Sequence, residues 1–229
     1  MKKWFFLFTL AILIASCGEK NGFESKNPYA AYFYPWDTLS KFYLYRDVAN
    51  GLDEQFHRIY SIKDSEGDHI VVEVYSSDGR IIEATNYNVD SLDVMDHMVV
   101  NRNLEKTKAE VFKYKAFPMN SSEETWLASR FSGFLDSTLI LREVKRKVNK
   151  EISDFEVMDS KADAVVMFDH IRMTNFNPFT KKEFVQEGDA YTYFAKGYGL
   201  VEWHSKNKKV HYKLEKILTQ EEWLKIITR

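Results

Sequence analysis

The dipeptide Asp78-Gly79 separates two runs, HIVVEVY (69–75) and RIIEATNY (80–87), that are rich in β-branched and aromatic residues. Asp-Gly tolerates the positive φ angles of a tight primed turn, so the pair predicts a β-hairpin. The same logic applies upstream. Asn50-Gly51 separates KFYLYRD (41–47) from FHRIYSI (56–62), and the polar run 64–68 separates that segment from HIVVEVY. Four strands joined by short turns make an antiparallel meander. A chain that begins its folded part this way is committed to sheet. The composition agrees, with 15% aromatic residues and only four prolines, a residue that interrupts strand ladders.

The pattern continues to the C-terminus with two helical exceptions. SLDVMDHMVV (91–100) fits a helix with Leu92, Met95 and Val99 on one face, and fits a strand by alternation. Strand is preferred because the turn 101–103 leads into KAEVFKY (108–114). Ser121 and Glu124 have capping-box spacing, with Leu127 and Phe131 on one face, and predict a short helix near 122–132. Strands are expected at 138–148, 154–160, 162–173, 190–205 and 209–217, with a loop over 175–188 and a hairpin turn at Lys206-Asn207-Lys208. Thr219 and Glu222 form a second capping box, opening a C-terminal helix whose Trp223, Leu224 and Ile227 should press on the sheet. The expected fold is mainly β. About ten strands predict one large curved antiparallel sheet, a half-barrel or unclosed barrel, whose concave face can enclose a pocket or ligand.

The first residues are of another kind. Lys2 and Lys3 precede an apolar run, Trp4 to Ile14, that is too short for a relaxed membrane span. Small residues and the chain's single cysteine follow, the pattern of a secretory signal. Ile14-Ala15-Ser16-Cys17 resembles the lipobox of bacterial lipoproteins. That resemblance implies cleavage between Ser16 and Cys17, a diacylglyceryl group on the Cys17 sulfur and acylation of the new amine. Several acyl chains on one residue give stable anchoring. The expected organisation is a signal peptide at 1–16, a lipidated flexible tether at 17–28 and a single β-rich domain at 29–229. Disulfides are then excluded, and so is a cysteine nucleophile. Gly18 stands where enterobacterial lipoproteins carry an inner-membrane retention Asp, which favours the outer membrane. Glu19-Lys20 resembles the charged export tags of Bacteroidota surface lipoproteins, and both faces of that membrane stay open.

The C-terminal third also carries a resemblance. A strand ending in an acidic turn, then Phe194-Ala195-Lys196-Gly197 with Gly199-Leu200-Val201, and finally Tyr212 and Leu214, look like the TapB-like and LolA/LolB-like exported β-rich proteins. The resemblance implies an unclosed barrel, and lipid or lipoprotein binding as in some members. Gly197 and Gly199 lie two apart and should face the same side of one strand, permitting a bend, a bulge or close approach of another element. A phosphate-cradling loop would need a third glycine and a following helix.

No catalytic or metal site emerges. The six histidines make no zinc or metalloprotease spacing. Three follow an aspartate (Asp68-His69, Asp96-His97, Asp169-His170), and neighbours in a strand point to opposite faces, so these read as strand-end and surface histidines. No nucleophile elbow or P-loop is present, and no cofactor is expected. Removing Lys2 and Lys3 takes the formal charge from −2 to −4, too mild for a nucleic-acid partner. The aromatic cluster 29–45 should close one end of the sheet, with ring stacking on sugars or a lipid groove as alternatives. Asp37-Thr38-Leu39, Asp90-Ser91-Leu92 and Asp136-Ser137-Thr138 resemble the O-glycosylation motif of exported Bacteroidota proteins and make Thr38, Ser91 and Ser137 candidate glycan sites. The expected role is a non-enzymatic envelope lipoprotein that binds or carries an apolar ligand or an exported protein. The second reading is an accessory subunit of an outer-membrane complex.

Overall fold

The computed structural model describes residues 25–37, 39–101, 103–133 and 138–228. Cys17, Ser16, Thr38 and Ser137 lie outside them. A 3-10 turn (Ala30–Tyr32) is followed by β1 (Lys41–Asp47), β2 (Glu54–Asp64), β3 (Gly67–Ser76), β4 (Ile81–Asn88), β5 (Val94–Val100) and β6 (Lys106–Lys108). Then come β7 (Glu110–Tyr114), β8 (Glu124–Ser132), β9 (Leu139–Val157), β10 (Ser160–Asn177), β11 (Lys182–Ala195), β12 (Gly199–Ser205), β13 (His211–Leu218) and the helix α1 (Gln220–Ile227). All thirteen strands join one antiparallel sheet, ordered β6-β5-β4-β3-β2-β1-β13-β12-β11-β10-β9-β8-β7. The chain therefore lays down each half as a meander, and β1 meets β13 in the middle.

The sheet curls until its edges nearly touch. Register shifts at Leu44/Tyr45, Val74/Tyr75, Asn86/Tyr87, Val111/Lys113 and Tyr193/Phe194 each add local bend. The edge strands β6 and β7 are consecutive in the chain, linked through Ala109. The Ala109 N–H donates to the His97 carbonyl at 2.8 Å, and Asp93 and Lys115 form an isolated bridge. No continuous ladder closes this seam, so the sheet remains an unclosed barrel.

Both faces of the central strands are covered. KFYLY of β1 sends Tyr43 and Tyr45 to the concave core and Phe42 and Leu44 to the convex side, so four consecutive residues are buried. On the convex side α1 begins at the predicted capping box, with the Thr219 hydroxyl accepting from the Glu222 N–H. Its Trp223 stacks on Phe42 at 4.2 Å between ring centres. Burying two such rings is worth about 2–3 kcal/mol each. Leu224, expected to join this contact, points outward, whereas Ile227 packs against the Phe42–Trp223 cluster as expected and also lies over Gly79.

Four sequence expectations require correction. The helix near 122–132 is strand β8, paired on both sides by β7 and β9. The segments 138–148 and 154–160 are not two strands: β9 runs from Leu139 to Val157 through a charged stretch with a bulge near Asp154, and Ser160 already begins β10. The loop over 175–188 is a hairpin that turns at 178–181 between β10 and β11. The single strand over 190–205 is two strands, because Gly197 and Gly199 occupy the reversal between β11 and β12 at φ +79° and +86°. Gly199 also permits close approach, since a Cβ there would sit 2.3 Å from the Tyr34 ring.

Candidate ligand-binding cavity

The segment 25–37 plugs one end of the barrel. Ser25 Oγ donates to the Val89 and Asp90 carbonyls, the Lys26 N–H donates to Asp90 O at 3.0 Å, and Asn27 Nδ2 donates to Ser91 O. Residues 25–28, expected at the end of a flexible tether, are thus fastened to the turn between β4 and β5. Tyr29, Phe33 and Tyr34 enter the core, where Phe33 meets Tyr87, Phe117 and Phe194 edge-on or tilted. The aromatic cluster closes one end of the sheet, as its composition predicts.

Beyond the plug lies a cavity of about 370 Å³, within the usual range of ligand pockets. Phe33, Tyr87, Phe117 and Trp203 supply apolar wall, and five charged residues stand among them, Glu83, Lys115, Arg142, Arg146 and Asp169. Arg146 on β9 holds Asp169 on β10 through two contacts, 2.7 and 2.9 Å, and donates a third bond to the Ala116 carbonyl. Thr192 Oγ1 donates to the same carboxylate at 2.6 Å. The Arg146 guanidinium lies over the Phe117 and Phe194 rings at 5.3 and 5.4 Å. This pair is saturated and belongs to the wall.

Arg142 is placed differently. Four residues back along β9, two repeats of the pleat nearer the open end, it meets a single polar partner among the described residues, Glu83 at 3.2 Å. Glu83 also receives His97 Nε2 at 3.2 Å, and His97 Nδ1 lies 3.1 Å from Ser129 Oγ. Burial alone would raise the Glu83 carboxyl, but Arg142, then His97, outweigh it and hold it at about 2. It is therefore ionised at neutral pH, and Arg142, which bonds it through Nη1, lines the cavity. His57, between Tyr34 and Gln55, is pushed down to about 4 by burial, so it is neutral.

Sequence reasoning missed this cluster. Glu83, His97, Ser129 and Arg142 come from β4, β5, β8 and β9, and no local spacing joins them. Hydroxyl, imidazole and carboxylate in line invite a nucleophile reading. Ser129 and His97 are buried, however, and the space they face is about 80 Å³, far below what a substrate needs. The trio is better placed as a brace, because His97 on β5 reaches β8 across the seam.

The expected surface histidines need the same correction. His69 and His97 are buried, and only His170 of the three Asp-His pairs is well exposed, pairing with Asp189 at 3.0 Å. The alternation argument does hold at Asp169-His170, where the aspartate points in and the histidine out. Ser91 is half-buried, its hydroxyl donating to Asn88 Oδ1 and accepting from the Asp93 N–H. Among the described residues no cluster of metal-binding side chains is present, and no helix is long and apolar enough to cross a membrane.

Two solved structures are similar to this chain over most of its length. One is a candidate lipoprotein of Parabacteroides distasonis, 12% identical, covering 82% of this chain and 98% of its own, with a TM-score of 0.49. The other is a candidate exported protein of Bacteroides fragilis described as having a YmcC-like fold. It is 13% identical and covers 82% of this chain and 99% of its own, with a TM-score of 0.42. No protein-family model matches the chain, and no curated protein matches it in sequence.

Proposed function

We propose that this chain is a non-enzymatic lipoprotein of the cell envelope, anchored through Cys17 to the outer membrane, whose barrel interior receives a ligand. The observation that carries the ligand reading is the cavity of about 370 Å³, closed at one end by aromatic residues and open at the other. A wholly apolar ligand would leave Arg142 and Glu83 desolvated, at a cost of several kcal/mol. The ligand class that suits the lining is an amphiphile, with an apolar body against the rings and an anionic group toward Arg142. The eight residue-to-residue steps from Cys17 to Ser25 span at most about 28 Å when extended. In this reading the plugged end lies near the bilayer and the open end faces away.

Native mass spectrometry of the full chain, released from its membrane in mild detergent, tests the ligand. The expected result is a discrete added mass that falls in Arg142→Ala. A mass explained by peptide and acyl groups alone, in every lipid background tried, removes the carrier reading and leaves the accessory-subunit one. Cys17→Ser should lose both lipid label and membrane association. Glycans at Thr38, Ser91 or Ser137 would appear as further mass on protein from the native organism. A fluorophosphonate probe should leave Ser129 unmodified, and labelling abolished by Ser129→Ala would make the protein an enzyme instead.

A further inference from the structure

The β10–β11 hairpin outruns its neighbour. β11 pairs with β12 only from Ala190 to Ala195, whereas residues 182–188 pair with β10 alone. Among the described residues, the other edge of 182–188 has no strand beside it. The direction of its backbone groups follows from parity. The Asp189 carbonyl accepts from the Lys206 N–H at 2.8 Å, so Asp189 turns its N–H and C=O toward the β12 side. Both groups of a strand residue point to one side, and the side alternates along the chain. The β10–β11 register runs unshifted from Asn177↔Lys182 to Ala164↔Ala195. Glu183, Val185 and Glu187 therefore turn their backbone donors and acceptors toward the open side.

A second open edge supplies the contrast. Residues 148–157 of β9 lie past the end of β8, which reaches only Lys147. That edge is blunted by the bulge at Ala162/Ala164, by Asp154 at φ +55°, and by exposed Lys150, Glu151 and Glu156. Such features keep strands from adding to an edge. The β11 edge has no bulge and presents Phe184 and Val185, 63% and 40% exposed.

Charge narrows the occupant. Glu183, Val185 and Glu187 share one face of β11. Glu187 meets Arg172 of β10 at 3.3 Å, and Glu183 has no ion-pair partner among the described residues. A second copy of this chain, paired antiparallel in full overlap about Val185, would set Glu183 against the copy's Glu187, two like charges. A strand alternating basic and apolar residues on that face places cations beside the carboxylates and an apolar side chain beside Val185.

We propose that residues 182–188 are a strand-addition site for an extended segment of another protein, alternating basic and apolar residues on one face. Main-chain bonds would supply affinity and the two glutamates selectivity. This surface is independent of the cavity, and either reading can fail alone.

The test uses the full chain and a synthetic peptide repeating Lys-Thr-Val-Thr, with a Glu-Thr-Val-Thr peptide as its counterpart. The basic peptide should bind by fluorescence anisotropy and slow amide exchange about tenfold at Glu183, Val185 and Glu187, while Phe184 and Gln186, already bonded to β10, stay unchanged. Val185→Pro should abolish binding. Glu183→Lys combined with Glu187→Lys, a surface change that should leave folding intact, should weaken the basic peptide about tenfold and favour the acidic one. Absence of protection at the three amides overturns the proposal, and so does binding indifferent to the charge reversal. Self-association of the unliganded protein that Val185→Pro removes would make the occupant a second copy and likewise overturn it.

Discussion

Arg146 and Asp169 stand directly opposite in the β9–β10 ladder and close a two-pronged ion pair inside the barrel, with nitrogen–oxygen distances of 2.7 and 2.9 Å. The carboxylate side chain is only 4% exposed. Removing one partner strands the other charge where water cannot reach it well. Asp169→Ala should therefore cost about 3–5 kcal/mol in chemical denaturation. Arg146→Met with Asp169→Leu, which removes both charges, should recover most of that loss. Equal losses in the single and double variants would mean that packing, not the orphaned charge, sets the cost.

The turn between β11 and β12 offers a paired comparison. Gly197 and Gly199 both have positive φ, but a Cβ on Gly197 meets nothing within 4 Å, while one on Gly199 runs into Tyr34. Gly197→Ala should cost about 1–2 kcal/mol, the left-handed penalty alone. Gly199→Ala should cost more, because the plug must also move. Urea midpoints at constant slope will separate the two, and a Gly199→Ala loss no larger than that of Gly197→Ala would show that Tyr34 yields freely.

Acid should weaken the fold in two stages. Burial lowers His57 from 6.5 to about 4, so between those values the unfolded chain takes up a proton that the folded chain refuses. Stability is full above pH 6.5 and falls by up to about 1.4 kcal/mol per pH unit below it. Glu83, held at about 2 against an ordinary 4.5, adds stability that is present above about 4.5 and is lost as pH falls toward 2. Denaturation series from pH 7 to pH 5 on the wild type and His57→Gln will isolate the first stage. An unchanged slope in His57→Gln assigns it elsewhere.

The seam gives a local measurement. His97 is bonded to Glu83 beside it and to Ser129 across the gap, and its carbonyl receives the Ala109 N–H. His97→Ala should lower stability by about 1–3 kcal/mol and speed amide exchange at Ala109 ahead of the central strands. Uniform acceleration over the whole sheet would refute a brace confined to the seam.

What the sequence made legible was mostly local. Asn50-Gly51 and Asp78-Gly79 marked hairpins because their glycines take φ of +70° and +76°. Thr219 and Glu222 marked a helix start because their reciprocal bonds need only a three-residue spacing. The same spacing misled at Ser121 and Glu124. Leu127 and Phe131 are four apart, which places them together on a helix and equally on a strand. The open edges of β7 and β9 decided for strand, and edges are tertiary. The 175–188 hairpin was hidden because both its faces are wet, so no alternation survived. The cavity was least legible: Glu83 and Arg142 are 59 residues apart.

The two halves of the sheet are each built from neighbours in sequence, and among the described residues the one ladder that joins them is β1 with β13. Phe42 therefore waits for Leu218, a partner made 176 residues later. A chain emerging from a ribosome or a translocation pore can complete nearly every hairpin early, yet its central ladder closes last and over the longest loop. Until then β1 is an unguarded edge with Phe42 and Leu44 bare on one side. Holdase chaperones would find their longest-lived target in this strand, and C-terminal truncation should send the protein toward aggregation rather than toward a smaller stable domain.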